Sequence, residues 1–512
     1  MHSAAVGSAP SRSRRTLQPS PFVRDLAFTT FTSVATVLAL VLSTRAAAAG
    51  LGPESFGAYM LSRRILSAID PVSTLMMGVA VTRFVASAAE HARADYLAAG
   101  AVLAVVPGAV VLIGSLAFAE PLATLLFRTP AYAGLIRATG FMIFGYSWFT
   151  LLYAWYRAVD RMSVANMWQL AAVAIAPLAL TLIFNRPGGE TAIVAWSGVV
   201  LSAAAIPQLV EITRARHRAV SQRADAIRAL AAYAVPRVPG GLAFGGLLAV
   251  GPLLSPYYGT LADAGYVAVG QSVLRVVEAA TEAFGRVALP KMARLMASHG
   301  VAGGLHQPVA AVVPVVFHVG LFATLHLWLW AGEITTLWLG PEYEAAVPVI
   351  RMFALALLPY LAFVTLRSIL DAVEVKAVNT LNVLSALAVT VVVALVLARV
   401  RYSAVAVSAA TAAGLTLLGA LTVAAVWRRC PFALGPLLIR ECLGLNAALL
   451  VAAAAGRSWL HARVSGSESF LAGAVVLEAL VAAAYGFALW RLQAQWIGEI
   501  ARRLFAQEGR PL

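Results

Sequence analysis

The sequence predicts an all-α polytopic membrane protein of about fourteen transmembrane helices, built as two parallel six-helix lobes with two extra helices at the C-terminal end. Three observations predict it. First, 61% of the 512 residues are hydrophobic and only 12% are charged, whereas a soluble domain carries about a quarter charged residues to cover its surface. Second, the apolar residues are gathered into stretches of about 20, the length that crosses the hydrocarbon core as a helix. Third, the basic residues fall unevenly between alternate loops, about three to one, which is the asymmetry that orients membrane helices.

In chain order, residues 1–22 form a polar tail with Arg12, Arg14 and Arg15. The apolar run after it ends at Ala46-Ala47-Ala48 and resembles a cleavable signal. It is long enough to span, and Arg45 sits badly for cleavage, so it reads as the first span. The expected spans cover roughly 24–46, 56–84, 96–118, 133–156, 163–184, 190–210, 229–254, 262–289, 308–331, 346–370, 377–398, 402–426, 438–460 and 470–490. The first six make an N-lobe over 23–210. A polar linker follows at 211–228, then a C-lobe over 229–427, the extra pair within 428–490, and a tail at 491–512. The arginine-rich loops put both termini and the linker in the cytoplasm and the protein in the inner membrane.

The net charge of +15 does not indicate nucleic acid. The basic residues are nearly all Arg, with only Lys291 and Lys376 as lysine, and they lie in short loops rather than on a polar recognition module. Cys430 and Cys442 form no CxxC or Cys/His cluster, so they read as apolar fillers. No phosphate-binding loop, nucleophile elbow, zinc motif or dinucleotide loop is present. The expectation is therefore a transporter without enzymatic activity or cofactor.

Two six-span lobes predict an internal repeat. Shifting the sequence by 214 places Ile136-Arg137 on Ile350-Arg351, Tyr146 on Tyr360 and Phe149 on Phe363, pairing the fourth span with the tenth. Shifting by 208 places Gly57 on Gly265, Asp70 on Glu278 and Arg83 on Lys291, pairing the second span with the eighth. Each lobe has an even number of spans, so the repeat is parallel, about an axis along the membrane normal.

Leu51-Gly52-Pro53-Glu54-Ser55-Phe56-Gly57-Ala58-Tyr59 resembles the LGPxxYG element of Wzx-type oligosaccharide flippases. Ala264-Gly265-Tyr266, Leu289-Pro290-Lys291-Met292-Ala293-Arg294-Leu295 and Trp338-Leu339-Gly340-Pro341-Glu342-Tyr343 carry the same likeness, over about residues 20–430. These flippases belong to the multidrug/oligosaccharidyl-lipid/polysaccharide exporter (MOP) superfamily, with its MATE-like fold. Their usual form has twelve spans, and fourteen is shared with the related lipid II flippases. The resemblance implies translocation of a polyprenyl-pyrophosphate-linked oligosaccharide for surface polysaccharide synthesis. Expected partners are the lipid-linked glycan, membrane lipids, a polysaccharide polymerase and chain-length proteins. The alternatives are a drug/cation antiporter of the same superfamily and, in a different class, a membrane glycan polymerase or ligase. The antiporter expects an acidic cavity. The polymerase expects a sizeable extracytoplasmic domain, and every such loop here is short.

Ionisable residues inside spans are expensive and mark candidate sites. Arg63, Arg64, Arg237 and Arg275 are the candidates for a substrate-binding cationic cavity. Arginine stays charged and grips phosphate bidentately, and the resemblance to lipid II flippases implies the same pattern. Asp70, Glu278 and Glu282 are the candidates for ion coupling or for pairing those arginines. The same groups also read as structural pairs, Arg63–Asp70 and Arg275–Glu278, and the sequence leaves both readings open. Pro236-Arg237-Val238-Pro239-Gly240-Gly241 breaks the seventh span, either lining a cavity or making a simple kink. His318 and His326 lie eight apart on the ninth span; packed histidines and a proton relay are the two readings.

Overall fold

The expected loop between the first two spans shrinks to a single residue. In the computed structural model one helix runs Pro21–Ser73, interrupted only at Gly52, whose φ of 77° is open to glycine and strained for other residues. Pro53 then opens the next segment, where its missing N–H costs nothing. The second Leu-Gly-Pro triplet repeats the device: Gly340 has φ 108° and Pro341 starts a helical turn. The structure describes residues 21–215, 223–278, 313–314, 316–373, 378–429, 436–464 and 466–505.

Among the described residues ten helices are long and apolar enough to cross a membrane, or eleven if the bent pair Pro341–Leu355 and Leu357–Arg367 is one span. The first of the ten, Phe31–Ser73, takes in most of the first two expected spans. The expected eighth and ninth spans are described over 261–278 and Val316–Leu329. The expected spans fall mainly on helix where they are described, in an all-α fold of the expected class.

The outer faces carry exposed apolar stripes among the described residues. On the third span Val102, Val106, Val110 and Ile113 are 52–64% exposed along one helical stripe. On the last span Val475, Val476, Leu480 and Phe487 do the same. Apolar stripes of this extent are incompatible with water and natural in hydrocarbon. The chain is a multi-pass membrane protein.

Inside each lobe, small residues let helices approach. A Cβ on Gly145 would lie 2.6 Å from the Gly198 carbonyl, joining the fourth and sixth spans, and one on Gly414 would lie 1.8 Å from Thr390 Oγ1, joining the eleventh and twelfth. One core cluster centres on the N-lobe but takes in Ala264, Ala268, Val273, Tyr343 and Ile350 from the C-lobe sequence. A second fills the C-lobe around Leu247, Phe353, Tyr360, Phe363 and Leu415.

Two of the breaks lie where the lobes meet. The second span ends at Ser73, turns through Leu75 (φ 44°) and Met76 (φ 56°), and resumes as Met77–Ser87. Left-handed geometry in two adjacent non-glycine residues is strained and must be held by its surroundings. The seventh span begins as Arg223–Ala234, passes through a 3-10 turn at Val235–Arg237, and continues as Val238–Tyr258. Pro236 and Pro239 remove the donors that a continuous helix needs there. Its first segment packs Leu230 with Val81 and Leu97 of the N-lobe, so the polar linker leads into a helix that clasps the first lobe.

A cationic cleft between the two lobes

The lobes meet at two seams. On the side away from the arginine-rich loops, a Cβ on Gly57 would fall 1.8 Å from the Leu261 carbonyl oxygen, and one on Gly265 would fall 3.2 Å from Gly57 Cα. Gly57 and Gly265 are the positions that the 208-residue shift equates, and equivalent positions touch where they lie near the axis of a two-fold repeat. The two Leu-Gly-Pro segments close the same seam. Tyr343 donates from its hydroxyl to Ala48 O at 2.9 Å, Trp338 Nε1 donates to Val41 O at 2.9 Å, and Phe56 meets Tyr343 edge-on at 5.4 Å. On the arginine-rich side the broken second and seventh spans cross. A Cβ on Gly245 would lie 2.8 Å from Ala68 Cα, and one on Gly241 would lie 2.9 Å from Pro71.

Between the seams lie three of the four candidate arginines. Arg64, half-buried on the second span, donates from Nη2 across to Ala268 O of the eighth span at 3.0 Å. It lies within electrostatic reach of Arg63 beside it and of Arg275 and Tyr360 in the other lobe. Arg63 donates to the Tyr59 hydroxyl at 3.3 Å and lies 5.7 Å from that ring's centre. Arg275 has 55% of its side chain exposed, with Arg64 and Tyr146 of the first lobe and Tyr360 of the second within electrostatic reach. Its Nη1 lies 3.4 Å from Glu278 Oε2.

The carboxylates repeat in parallel. Glu278 accepts from the Tyr360 hydroxyl at 2.6 Å. Asp70 stands within electrostatic reach of Tyr146, which also senses Arg275. Asp70/Glu278 and Tyr146/Tyr360 are both repeat-equivalent pairs, so each lobe sets one acid near one tyrosine. The lobes are not identical. Glu278 is paired with Arg275, whereas Asp70 Oδ1 is buried with no hydrogen-bond partner among the described residues. The structural pair Arg275–Glu278 forms; Arg63 turns to Tyr59 rather than to Asp70.

Arg237 stands apart. It is exposed, its guanidinium lies 3.8 Å from the centre of the Tyr233 ring and donates to the Tyr233 carbonyl, and Arg83 covers the same ring at 4.7 Å. The two arginines and one tyrosine form a basic lip at the arginine-rich mouth. Glu282 lies outside the described residues. Sequence reasoning did not assign Tyr59, Tyr146 or Tyr360 to the site. The repeat had already paired Tyr146 with Tyr360, and that pairing was the available signal.

Chemically, the cleft holds guanidinium groups that nearby carboxylates do not fully neutralise. Neither Arg63 nor Arg64 has a carboxylate in salt-bridge range among the described residues, and Arg275 keeps most of its surface open. Such a site accepts an anion with several oxygens. The residues described there provide no nucleophile–base pair.

No protein-family model and no curated protein matches the sequence. Solved structures do resemble it. A lipid II flippase MurJ in an inward closed conformation superposes with a TM-score of 0.69 at 12% identity, covering 92% of this chain and 99% of the flippase. An inward-facing multidrug resistance MATE family transporter of the MOP superfamily superposes at 0.64 with 14% identity, covering 77% of this chain and 94% of its own. A mutant form of the Vibrio cholerae MATE transporter VcmN superposes at 0.56 with 15% identity, covering 80% of this chain and 98% of its own. At these identities the likeness establishes the fold, which is that of MurJ and the MATE transporters.

Proposed function

We propose that this chain is a flippase of the MOP superfamily that carries a polyprenyl-pyrophosphate-linked oligosaccharide across the inner membrane by alternating access, with both termini in the cytoplasm. It acts without enzymatic chemistry. The observation that carries the reading is the open arginine cluster of Arg63, Arg64 and Arg275 at the lobe interface. A pyrophosphate brings about two negative charges, and even one charge at a helix centre costs about 3 kcal/mol on insertion scales. Fixed guanidinium groups at the lobe interface offset most of that cost. A cation antiporter needs the opposite sign of cleft. The coverage of the solved structures favours the same reading: the flippase spans 92% of this chain and the MATE transporter 77%, a difference about the size of the two added C-terminal spans.

Translocation follows from the two seams. Opening the second-to-seventh span crossing exposes the cleft on the arginine-rich side, where Arg83 and Arg237 meet the incoming head group. Opening the Gly57–Gly265 seam exposes it on the other side. The lobes rock around a fixed site, and Glu278 holds Arg275 when the anion has left. A polymerase and chain-length proteins receive the product.

Cells that depend on this protein for surface glycan provide the test. Arg275→Ala is expected to lower export at least tenfold while the protein still inserts, and Arg275→Lys is expected to restore part of it. Arg63→Ala and Arg64→Ala follow the same pattern. Full export in all three alanine variants would remove the cationic cleft from the mechanism.

A further inference from the structure

The ninth span carries ionisable groups that the cleft does not use, and they face the added C-terminal spans. His326 Nδ1 lies 2.8 Å from Glu478 Oε1 and 3.1 Å from Oε2, and Trp330 Nε1 donates to Oε2 at 2.8 Å. Deeper along the same helix, His318 Nδ1 lies 3.1 Å from the Tyr485 hydroxyl. Phe322 stacks on both His326 and Tyr485, with ring centres 4.1 and 4.5 Å apart. On the next helix, Ala331–Trp338, Glu333 accepts from Arg457 Nε at 2.6 Å and lies 3.8 Å from His461 Nε2. Arg457 in turn lies 5.9 Å from the Trp330 ring centre. The tenth span faces the ninth with Arg351, stacked over Trp328 at 5.2 Å.

These groups form a file from the surface at the end of the ninth span away from the arginine-rich loops, at His461, to the span's interior. His461 is 56% exposed, whereas His326 and His318 retain 4% and 3% exposure. Packing alone does not call for such residues, because small apolar side chains join membrane helices at lower cost, and ionisable groups at depth mark ion or proton routes. A second observation singles out His326. With Nδ1 committed to Glu478, its Nε2 is buried and has no hydrogen-bond partner among the described residues. A neutral imidazole that donates through Nδ1–H presents a bare lone pair at Nε2. Protonating it converts a lone carboxylate charge into a compensated pair.

We propose that His326 and Glu478 form a proton-binding site, reached from the surface at His461, Glu333 and Arg457, whose loading couples proton binding to transport. A proton leaves water at that surface and bonds to His326 Nε2, and no other covalent bond changes. The coupling rests on the transporter reading above; the proton site does not.

The test uses the full chain in phosphatidylethanolamine/phosphatidylglycerol nanodiscs with 15N-histidine labelling, followed by NMR from about pH 5 to 8.5. Among the 8 histidines, one buried imidazole is expected to titrate reversibly. Its resonance is absent in His326→Gln and its titration changes in Glu478→Gln, which keeps an acceptor for Trp330. If His326→Gln fails to accumulate, the change in Glu478→Gln makes the assignment. A His326 resonance that stays the same across the range overturns the proposal, as does a Glu478→Gln protein that titrates like the wild type. In cells, surface glycan export by the wild type is expected to change several-fold with external pH, and export by His326→Gln to stay flat at equal protein level. A pH response kept in His326→Gln overturns the coupling. If no surface glycan depends on the chain, the flippase reading fails while the NMR result still decides the proton site.

Discussion

Among the described residues Tyr360 and Arg275 both engage Glu278, and the balance between them bears on how free Arg275 is to bind an anion. The carboxylate accepts from Tyr360 at 2.6 Å and sits 3.4 Å from Arg275. The shorter bond holds the acid and leaves the guanidinium loosely paired. Tyr360→Phe removes the phenol, frees the carboxylate to turn further toward Arg275, and takes away a hydrogen bond to a charged group. The expected loss is about 1–3 kcal/mol of stability, read as a lower melting temperature, with export reduced several-fold because Arg275 is then held back from substrate. Unchanged melting and export would show that Tyr360 only fills space. At this scale the sequence revealed the Arg275–Glu278 pair, because i,i+3 neighbours on a helix must be close. It could not reveal Arg64 donating to Ala268 O or Arg63 choosing Tyr59, because those depend on how one lobe lies on the other. Arg237 shows the same limit. Proline and glycine marked the break correctly, but the ring that captures the arginine, Tyr233, lies on the segment before it.

At the scale of elements, the two seams differ in their tolerance of bulk. The Gly57 seam has no space for a side chain, since a Cβ there would lie 1.8 Å from the Leu261 carbonyl oxygen, which is backbone and cannot rotate away. Gly57→Val should therefore force the second and eighth spans apart and populate the state open on that side. The measurement is thiol labelling of a cysteine placed at Tyr257, whose hydroxyl donates to Leu125 O across the lobes. Labelling from outside is expected to rise several-fold and export to fall. Labelling equal to that of the glycine protein would mean the seam does not gate. The breaks beside these seams were only partly legible. Gly52-Pro53 was read as a loop boundary, whereas glycine backbone freedom and a proline start make a kink inside one helix. The strained turn at Leu75 and Met76 had no signal in the sequence, because neither residue type favours a left-handed backbone.

Across the whole molecule, apolar length and the 208- and 214-residue shifts made the architecture readable, since both reflect the bilayer and the repeat rather than any particular contact. The site between the lobes was legible as a list of charged residues at depth, and its tyrosines were not, because a tyrosine in a span is ordinary until a carboxylate is found beside it. Orientation is the property that follows from charge alone. Loops rich in arginine are retained on the cytoplasmic side during insertion, and the excess includes Arg83, Arg157, Arg228 and Arg428, against Arg128 and Arg186 on the other side. Two exposed positions make the comparison clean: Arg228, with 82% of its side chain accessible, and Arg128, at the left-handed end of the Ala119–Phe127 helix. With Cys430 and Cys442 replaced by serine, single cysteines at these two positions should respond oppositely to a membrane-impermeant thiol reagent applied to intact cells. Arg128→Cys should label and Arg228→Cys should not, and permeabilisation should make Arg228→Cys react. This outcome places the basic lip of Arg83 and Arg237 on the cytoplasmic side, where the proposed flippase would load its anionic head group. Labelling of Arg228→Cys in intact cells would invert the molecule and put the cleft's loading mouth on the wrong side of the membrane.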